Sequence, residues 1–134
     1  MQNTIWRWRD AAAVFSGGCL GGAARYGVGL WFHDGTNLLG TTAVNLTGSF
    51  LLALITYGLA LYVDLPDWLI LALGTGFVGA FTTFSTLFLN VVVHAASQPV
   101  FVAVMLMINL VGGLAAAMLG YWVATAWAER YNKW

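Results

Sequence analysis

The stretch "GTGFVGAFTTFSTLFLN" (residues 74–90) combines hydroxyl side chains with phenylalanines inside an apolar segment. Thr82, Ser85 and Thr86 supply O–H groups, and Phe84 lies among them. The edge of an aromatic ring carries partial positive charge. Hydroxyl donors and ring edges therefore suit an anion that has lost its water.

Two other apolar segments carry amide groups. Thr41 and Asn45 are four residues apart, so they share one face of a helix. Asn109 lies half-way along the last apolar segment of the chain, a turn before two glycines. In a membrane, such amides either hold helices together or line a polar route. The side chains taken singly leave both interpretations open.

The carboxylates all fall at segment ends or in predicted loops: Asp10, Asp34, Asp64, Asp67 and Glu129. A cation or proton pathway usually contains an acidic residue within the membrane. A route lined by amides, hydroxyls and ring edges suits an anion instead. Arg25, near an otherwise apolar span, either draws an anion into a vestibule or anchors the helix at the interface.

The composition is that of a membrane protein. Of its 134 residues 60% are hydrophobic and 7% charged, against about 25% charged in an average soluble domain. A bilayer core needs roughly 20 helical residues per crossing. We predict a single transmembrane domain, residues 1–134, with all-α architecture and four transmembrane helices. The predicted spans are about 11–32, 38–63, 67–93 and 99–128.

Four spans place both termini on one side of a multi-pass protein of the cell (inner) membrane. Basic residues cluster at the two ends: Arg7, Arg9, Arg130 and Lys133. This bias favours cytoplasmic termini, and tryptophans such as Trp6 and Trp134 mark predicted interfaces. The absence of a basic patch argues against nucleic acid as a partner. Residues 5–24 also match a signal peptide, but the apolar stretch continues past any cleavage point.

Glycines predict an interruption in the third helix. Three of them in residues 74–79 weaken the helix, and the freed carbonyls need protein, water or an ion, because lipid offers no donors. The same six residues match G-x-G-x-x-G, but the strand and acidic residue of a dinucleotide site are missing. A phenylalanine stripe is predicted along this helix: Phe77, Phe81, Phe84 and Phe88. Glycines at residues 17–22 and 112–120 predict close helix packing.

Four motifs in order resemble the Fluc/CrcB family of fluoride channels. They are "GGCLGGAARY" (17–26), "GTTAVNLTGSF" (40–50), "GFVGAFTTFST" (76–86) and "NLVGG" (109–113). The resemblance covers nearly the whole chain, and the third motif is the most specific. It implies an antiparallel dimer whose third helix is interrupted within the membrane, with fluoride pores along the subunit contact. Export of cytoplasmic fluoride through such pores is passive.

The resemblance also implies roles for individual residues. Asn45 would donate a hydrogen bond to fluoride, and Phe84 would present its ring edge. Ser85 and Thr86 would belong to a hydroxyl track.

The remaining implied roles concern the borders of the path and a bound metal. Thr41 and Asn109 would border the path, and Arg25 would lie in the aqueous vestibule. Gly79 and Thr82 would give backbone carbonyls to a structural Na⁺ on the dimer axis, because hard cations take oxygen ligands.

One position departs from the family pattern T-T-F-S-T-F, because Leu87 stands where the second phenylalanine is usual. Phe88 points about 100° away on a helix and cannot be assumed to replace it. The second ring either is dispensable or comes from a partner subunit. The partner is then an identical chain in a homodimer or a homologous chain in a heterodimer, which the charge bias favours.

Two other functions compete with the channel. A non-transporting membrane assembly protein would use the glycine faces for contacts alone. A small multidrug-type exporter would need a carboxylate in the first span, and residues 11–32 contain none. An enzyme is excluded by the lack of a nucleophile, base and orienting acid at compatible depth.

Overall fold

The computed structural model describes residues 8–131, without the side chains of residues 35, 36 and 131. The predictions for Trp6, Arg7, Lys133 and Trp134 concern positions outside the described residues. Within the described part the chain is all-α, as predicted. Its helices are α1 (Trp8–Phe32), the single turn α2 (Asp34–Asn37), α3 (Leu39–Tyr62), α4 (residues 67–81), α5 (Phe84–His94) and α6 (residues 99–131).

Three helical stretches in residues 8–131 are long and apolar enough to cross a membrane. They are Leu39–Tyr62, Asp67–His94 counted through its interruption, and Pro99–Arg130. The prediction of a multi-pass membrane protein is therefore confirmed. Helix α1 has 25 residues, which is the length of a span. It is not one of the three apolar stretches. Its charged residues include Arg9, Asp10 and Arg25.

Glycines bring α1 and α4 into backbone contact. A Cβ atom added at Gly17 would lie 2.1 Å from the carbonyl oxygen of Ala72, and one at Gly21 would lie 2.1 Å from that of Phe77. On the other side, a Cβ at Gly76 would lie 2.6 Å from the carbonyl oxygen of Val14. Dispersion contacts of this closeness hold helices together in lipid. The predicted packing role of Gly17 and Gly21 is confirmed.

Helices α3 and α6 form the second close pair. A Cβ at Gly120 would lie 2.4 Å from the carbonyl oxygen of Phe50, and Gly58 faces the side chain of Ala124. Ala124 is fully buried as a result. Helix α1 also contacts α3, so the two pairs form one bundle.

The predicted interruption of the third span (67–93) is present, but the glycines do not cause it. Residues 72–78 stay helical in a π-type turn, and the helix ends at Phe81. The backbone is extended at Thr82 (ψ 155°) and Thr83 (φ −151°), and α5 starts at Phe84. The prediction that the glycines break the helix is wrong, because Gly76 instead admits the backbone of α1.

The break also divides the predicted phenylalanine stripe. Phe77 stacks on Phe81, with ring centroids 5.7 Å apart, and Phe84 stacks on Phe88 at 5.9 Å. Phe81 is buried, whereas Phe84 is 60% exposed. A single stripe does not form because the two extended residues reorient the chain between the pairs. Phe84 is consequently the ring that faces outward at the start of α5.

Candidate functional site

Asn45 on α3 holds the interrupted backbone in place. Its Oδ1 accepts a hydrogen bond from the Thr83 N–H at 2.8 Å, and its Nδ2 donates to the Thr83 carbonyl at 3.1 Å. One side-chain amide thus satisfies both polar groups of a residue that has left the helix. Buried backbone groups without partners are costly, above all in lipid. Asn45 therefore stabilises the break itself.

Asn109 extends this contact to α6. Its Oδ1 accepts the second Nδ2 proton of Asn45 at 2.9 Å. Its own Nδ2 donates to the hydroxyl of Thr42 and to the carbonyl of Met105, both at 2.9 Å. The N–H protons of both amides are thereby used within the protein. The network links the break to α3 and α6.

Three hydroxyls cluster at the start of α5. Thr83 caps this helix, since its Oγ1 accepts the Thr86 N–H at 3.2 Å. The Thr83 hydroxyl also donates to Thr86 Oγ1 at 3.0 Å and lies 3.3 Å from Ser85 Oγ. Thr86 only accepts in this cluster, so its hydroxyl proton has no acceptor among residues 8–131. That O–H is a free donor.

Two backbone carbonyls lose their helical partners at the break. In an unbroken α-helix the Gly79 carbonyl accepts the N–H of residue 83, and the Thr82 carbonyl accepts that of residue 86. Here the Thr83 N–H is given to Asn45 and the Thr86 N–H to the Thr83 hydroxyl. Gly79 is exposed and Thr82 is half-buried. Both carbonyls are thus free for another ligand.

A wide open cavity of about 600 Å³ runs beside the break. Asn45, Asn109, Thr82 and Phe84 line it, together with Gly79. Its walls therefore combine an amide network, free carbonyls and an exposed ring. Ser49 also lines it, although the Ser49 hydroxyl is used by the Asn45 carbonyl at 2.8 Å.

A second, smaller cavity of about 110 Å³ lies on the other side of Thr83. Arg25, Asp34, Thr41 and Thr86 line it. Arg25 is exposed, in keeping with an entrance, and Thr41 is buried at the start of α3. Its backbone N–H donates to Asp34 Oδ1 at 2.9 Å, and its hydroxyl donates to Asp34 Oδ2.

Two important residues escaped the sequence analysis. Thr83 was not among the candidate residues, yet its backbone is held by Asn45 and its side chain caps α5. The available signal was the preference of threonine for the N-cap position of a helix. Asp34 was assigned only to a loop, and its contact with Thr41 depends on the α2 turn, which the sequence pattern does not reveal.

The position that departs from the family pattern is buried inside the subunit. Leu87 is 1% exposed, whereas Phe88 is 50% exposed and stacks on Phe84. The second exposed ring of α5 is thus one residue further along the chain than the pattern places it.

Comparison with known proteins identifies relatives along most of the chain. The family described as "CrcB-like protein, Camphor Resistance (CrcB)" matches residues 12–121. The chain is 44% identical over 125 residues to the "Fluoride-specific ion channel FluC" of Gloeobacter violaceus, which covers 88% of this chain and 98% of the relative. It is 38% identical over 112 residues to "Fluoride-specific ion channel FluC 2" of Bacillus subtilis, covering 84% and 85%. A third relative, "Fluoride-specific ion channel FluC 2" of Halalkalibacterium halodurans, is 33% identical over 133 residues, with coverage of 99% and 96%.

Proposed function

Since the chain belongs to the CrcB-like family, we propose that it is a fluoride-specific ion channel of the cell membrane. The relatives that carry this name align with the chain over nearly their whole length. The family is one of channels and not of enzymes. The fluoride channel predicted from the four sequence motifs therefore has independent support, and the assembly-protein and exporter alternatives do not.

One structural observation carries the proposal for this chain. The interrupted helix gathers a free hydroxyl donor, an exposed ring and an amide network within residues 82–86 and their neighbours. Fluoride is small and strongly hydrated, so a pore must replace its water with several donors. Among the described residues no carboxylate lines the wide cavity, so the lining does not repel an anion there.

The path runs from the small cavity to the wide one. Fluoride enters beside Arg25, exchanges water for the free Thr86 hydroxyl, and passes the start of α5 to the edge of the Phe84 ring. Thr41 borders the entrance and Ser85 extends the hydroxyl track. The passage is passive, driven by the fluoride gradient. The flanking residues only replace water and then release the ion.

Asn45 and Asn109 contribute by exchanging hydrogen bonds. Both Nδ2 protons of Asn45 are already donated, to Thr83 and to Asn109. Fluoride therefore receives a donor from Asn45 only while one of these internal bonds opens. An exchange of this kind releases the ion easily, since the internal acceptor recovers the donor. Fast conduction needs such weak net binding.

The functional unit is an antiparallel dimer of four-span subunits, with α1 as the fourth span. Support comes from the wide cavity, whose free carbonyls at Gly79 and Thr82 cannot face hydrocarbon without partners. A second subunit would cover this face and close the pore wall opposite Phe84. That subunit is an identical chain or a homologous one.

A structural Na⁺ ion fits the same face. The carbonyls of Gly79 and Thr82 have lost their helical donors, and hard cations take such oxygen ligands. Two copies of the chain would supply four carbonyl oxygens between them. When bound, the ion would supply a positive charge that holds the two interrupted helices together.

Replacing Phe84 by isoleucine should abolish fluoride conduction and leave the fold intact. The ring is 60% exposed, so its loss opens no cavity within the subunit, but isoleucine has no electropositive edge. Fluoride efflux from liposomes measures the effect. Phe15→Ile is the control, since Phe15 on α1 is 73% exposed and lines neither cavity. Undiminished efflux through a Phe84→Ile channel would remove the ring from the path.

A further inference from the structure

We infer that Asp34 limits fluoride entry by placing a fixed negative charge beside Arg25; this inference rests on the proposed channel function. The two residues are the ionisable side chains that line the small cavity. Thr41, Thr83 and Thr86 complete its polar wall, and the free Thr86 hydroxyl is the donor that it offers to an entering ion. Any charge fixed on this wall acts directly on that step.

The carboxylate of Asp34 is immobilised at the cavity. Both of its oxygens accept hydrogen bonds from Thr41, one from the backbone N–H at 2.9 Å and one from the hydroxyl. The absence of a side chain at Gly40 makes room for it, since a Cβ there would lie 3.1 Å from Asp34 Cγ. The turn α2 is flanked by His33 and Leu38, both in the left-handed conformation (φ 51° and 57°). This arrangement aims Asp34 back at the start of α3.

Asp34 does not neutralise Arg25 by direct contact. Within the described chain no ion pair joins them, and the carboxylate is hydrogen-bonded to Thr41 instead. The entering anion therefore meets an attractive and a repulsive charge on the same wall. Two opposite charges of this kind tune the local ion concentration without blocking the route. The negative charge of Asp34 thus lowers the rate at which fluoride enters.

Neutralising Asp34 should increase fluoride conductance. Asp34→Asn keeps an acceptor for the Thr41 N–H and removes the charge. We expect conductance at low fluoride to rise roughly two- to fivefold, the size of one unit charge acting through water at short range. The gain should shrink at high ionic strength, where the Debye length falls to about 3 Å at 1 M. A purely structural role of Asp34 would not produce this salt dependence.

The experiment is electrical recording of the purified channel in planar bilayers across a range of fluoride activities, at low and high ionic strength. Asp64→Asn is the control, since this exposed carboxylate lies in the α3–α4 connection and lines neither cavity. Asp34→Glu, which keeps the charge, should show none of the gain in conductance expected of Asp34→Asn. A conducting wild type with an unchanged Asp34→Asn variant overturns the inference. A silent wild type overturns the channel function instead.

Arg25→Gln gives a second test that does not depend on the folding of an Asp34 variant. Arg25 is exposed, so its replacement leaves the packing unchanged. With Asp34 as the remaining charge at the entrance, conductance of this variant should fall as the ionic strength is lowered. A conductance that rises under these conditions contradicts the inference.

Discussion

Replacing Asn45 by aspartate should abolish fluoride conduction and lower the stability of the fold. The carboxylate keeps one acceptor for the Thr83 N–H but loses both donated bonds, to the Thr83 carbonyl and to Asn109 Oδ1. The second carboxylate oxygen would also face two oxygen acceptors, the Thr83 carbonyl and Asn109 Oδ1. Each buried group left without a partner costs about 1–3 kcal/mol. The start of α5 is then no longer fixed against α3.

Fluoride efflux and the denaturant midpoint of unfolding, measured on the same preparation, test this prediction. Asn90→Asp is the matched control for the change in charge. Asn90 donates a single bond to the Thr86 carbonyl within its own helix, so this variant should unfold near the wild-type midpoint. Wild-type stability of Asn45→Asp would contradict the proposed support of the break, and wild-type efflux would remove Asn45 from the path.

The second large effect is expected at Gly21 and not at its neighbour Gly22. Gly21→Ala should prevent the α1–α4 contact, because the new Cβ would lie 2.1 Å from a backbone oxygen of Phe77. Overpacking typically costs about 1–3 kcal/mol, and more where a backbone must move. Gly22→Ala should not destabilise the fold, since nothing lies within 4 Å of a Cβ at that position.

The measurement is the yield and thermal midpoint of the purified protein, with the two alanine variants prepared in parallel. Both substitutions raise helix propensity equally, so a difference between them reports the helix contact alone. Equal stability of the two variants would show that α1 does not pack on α4 through Gly21.

Composition and periodicity were sufficient for the helical class and the membrane setting. Continuous apolar runs of about 20 residues favour helices, because a helix satisfies its own backbone groups within the membrane. Helix α1 was harder to assign, since its glycines serve contact with α4 and its charges include Arg25. The family was predicted from four short motifs, and the comparisons confirmed it.

The position of the break could not be predicted from the sequence. Glycine content pointed to residues 74–79, yet these pack against α1 and remain helical. The break forms at Thr83, where Asn45, 38 residues away in the chain, replaces the helical hydrogen bonds. A long-range contact of this type leaves no local pattern. The role of Asp34 was missed for a related reason, because it depends on the geometry of the α2 turn.

The central claim is that this chain forms a fluoride-selective pore. The most direct test is fluoride efflux from liposomes that contain only the purified chain, with valinomycin to carry balancing potassium and chloride release as the reference. Rapid loss of fluoride without loss of chloride is the predicted result, and it would also show that two identical chains suffice. Retention of fluoride by liposomes that contain folded protein would contradict the claim for the chain alone.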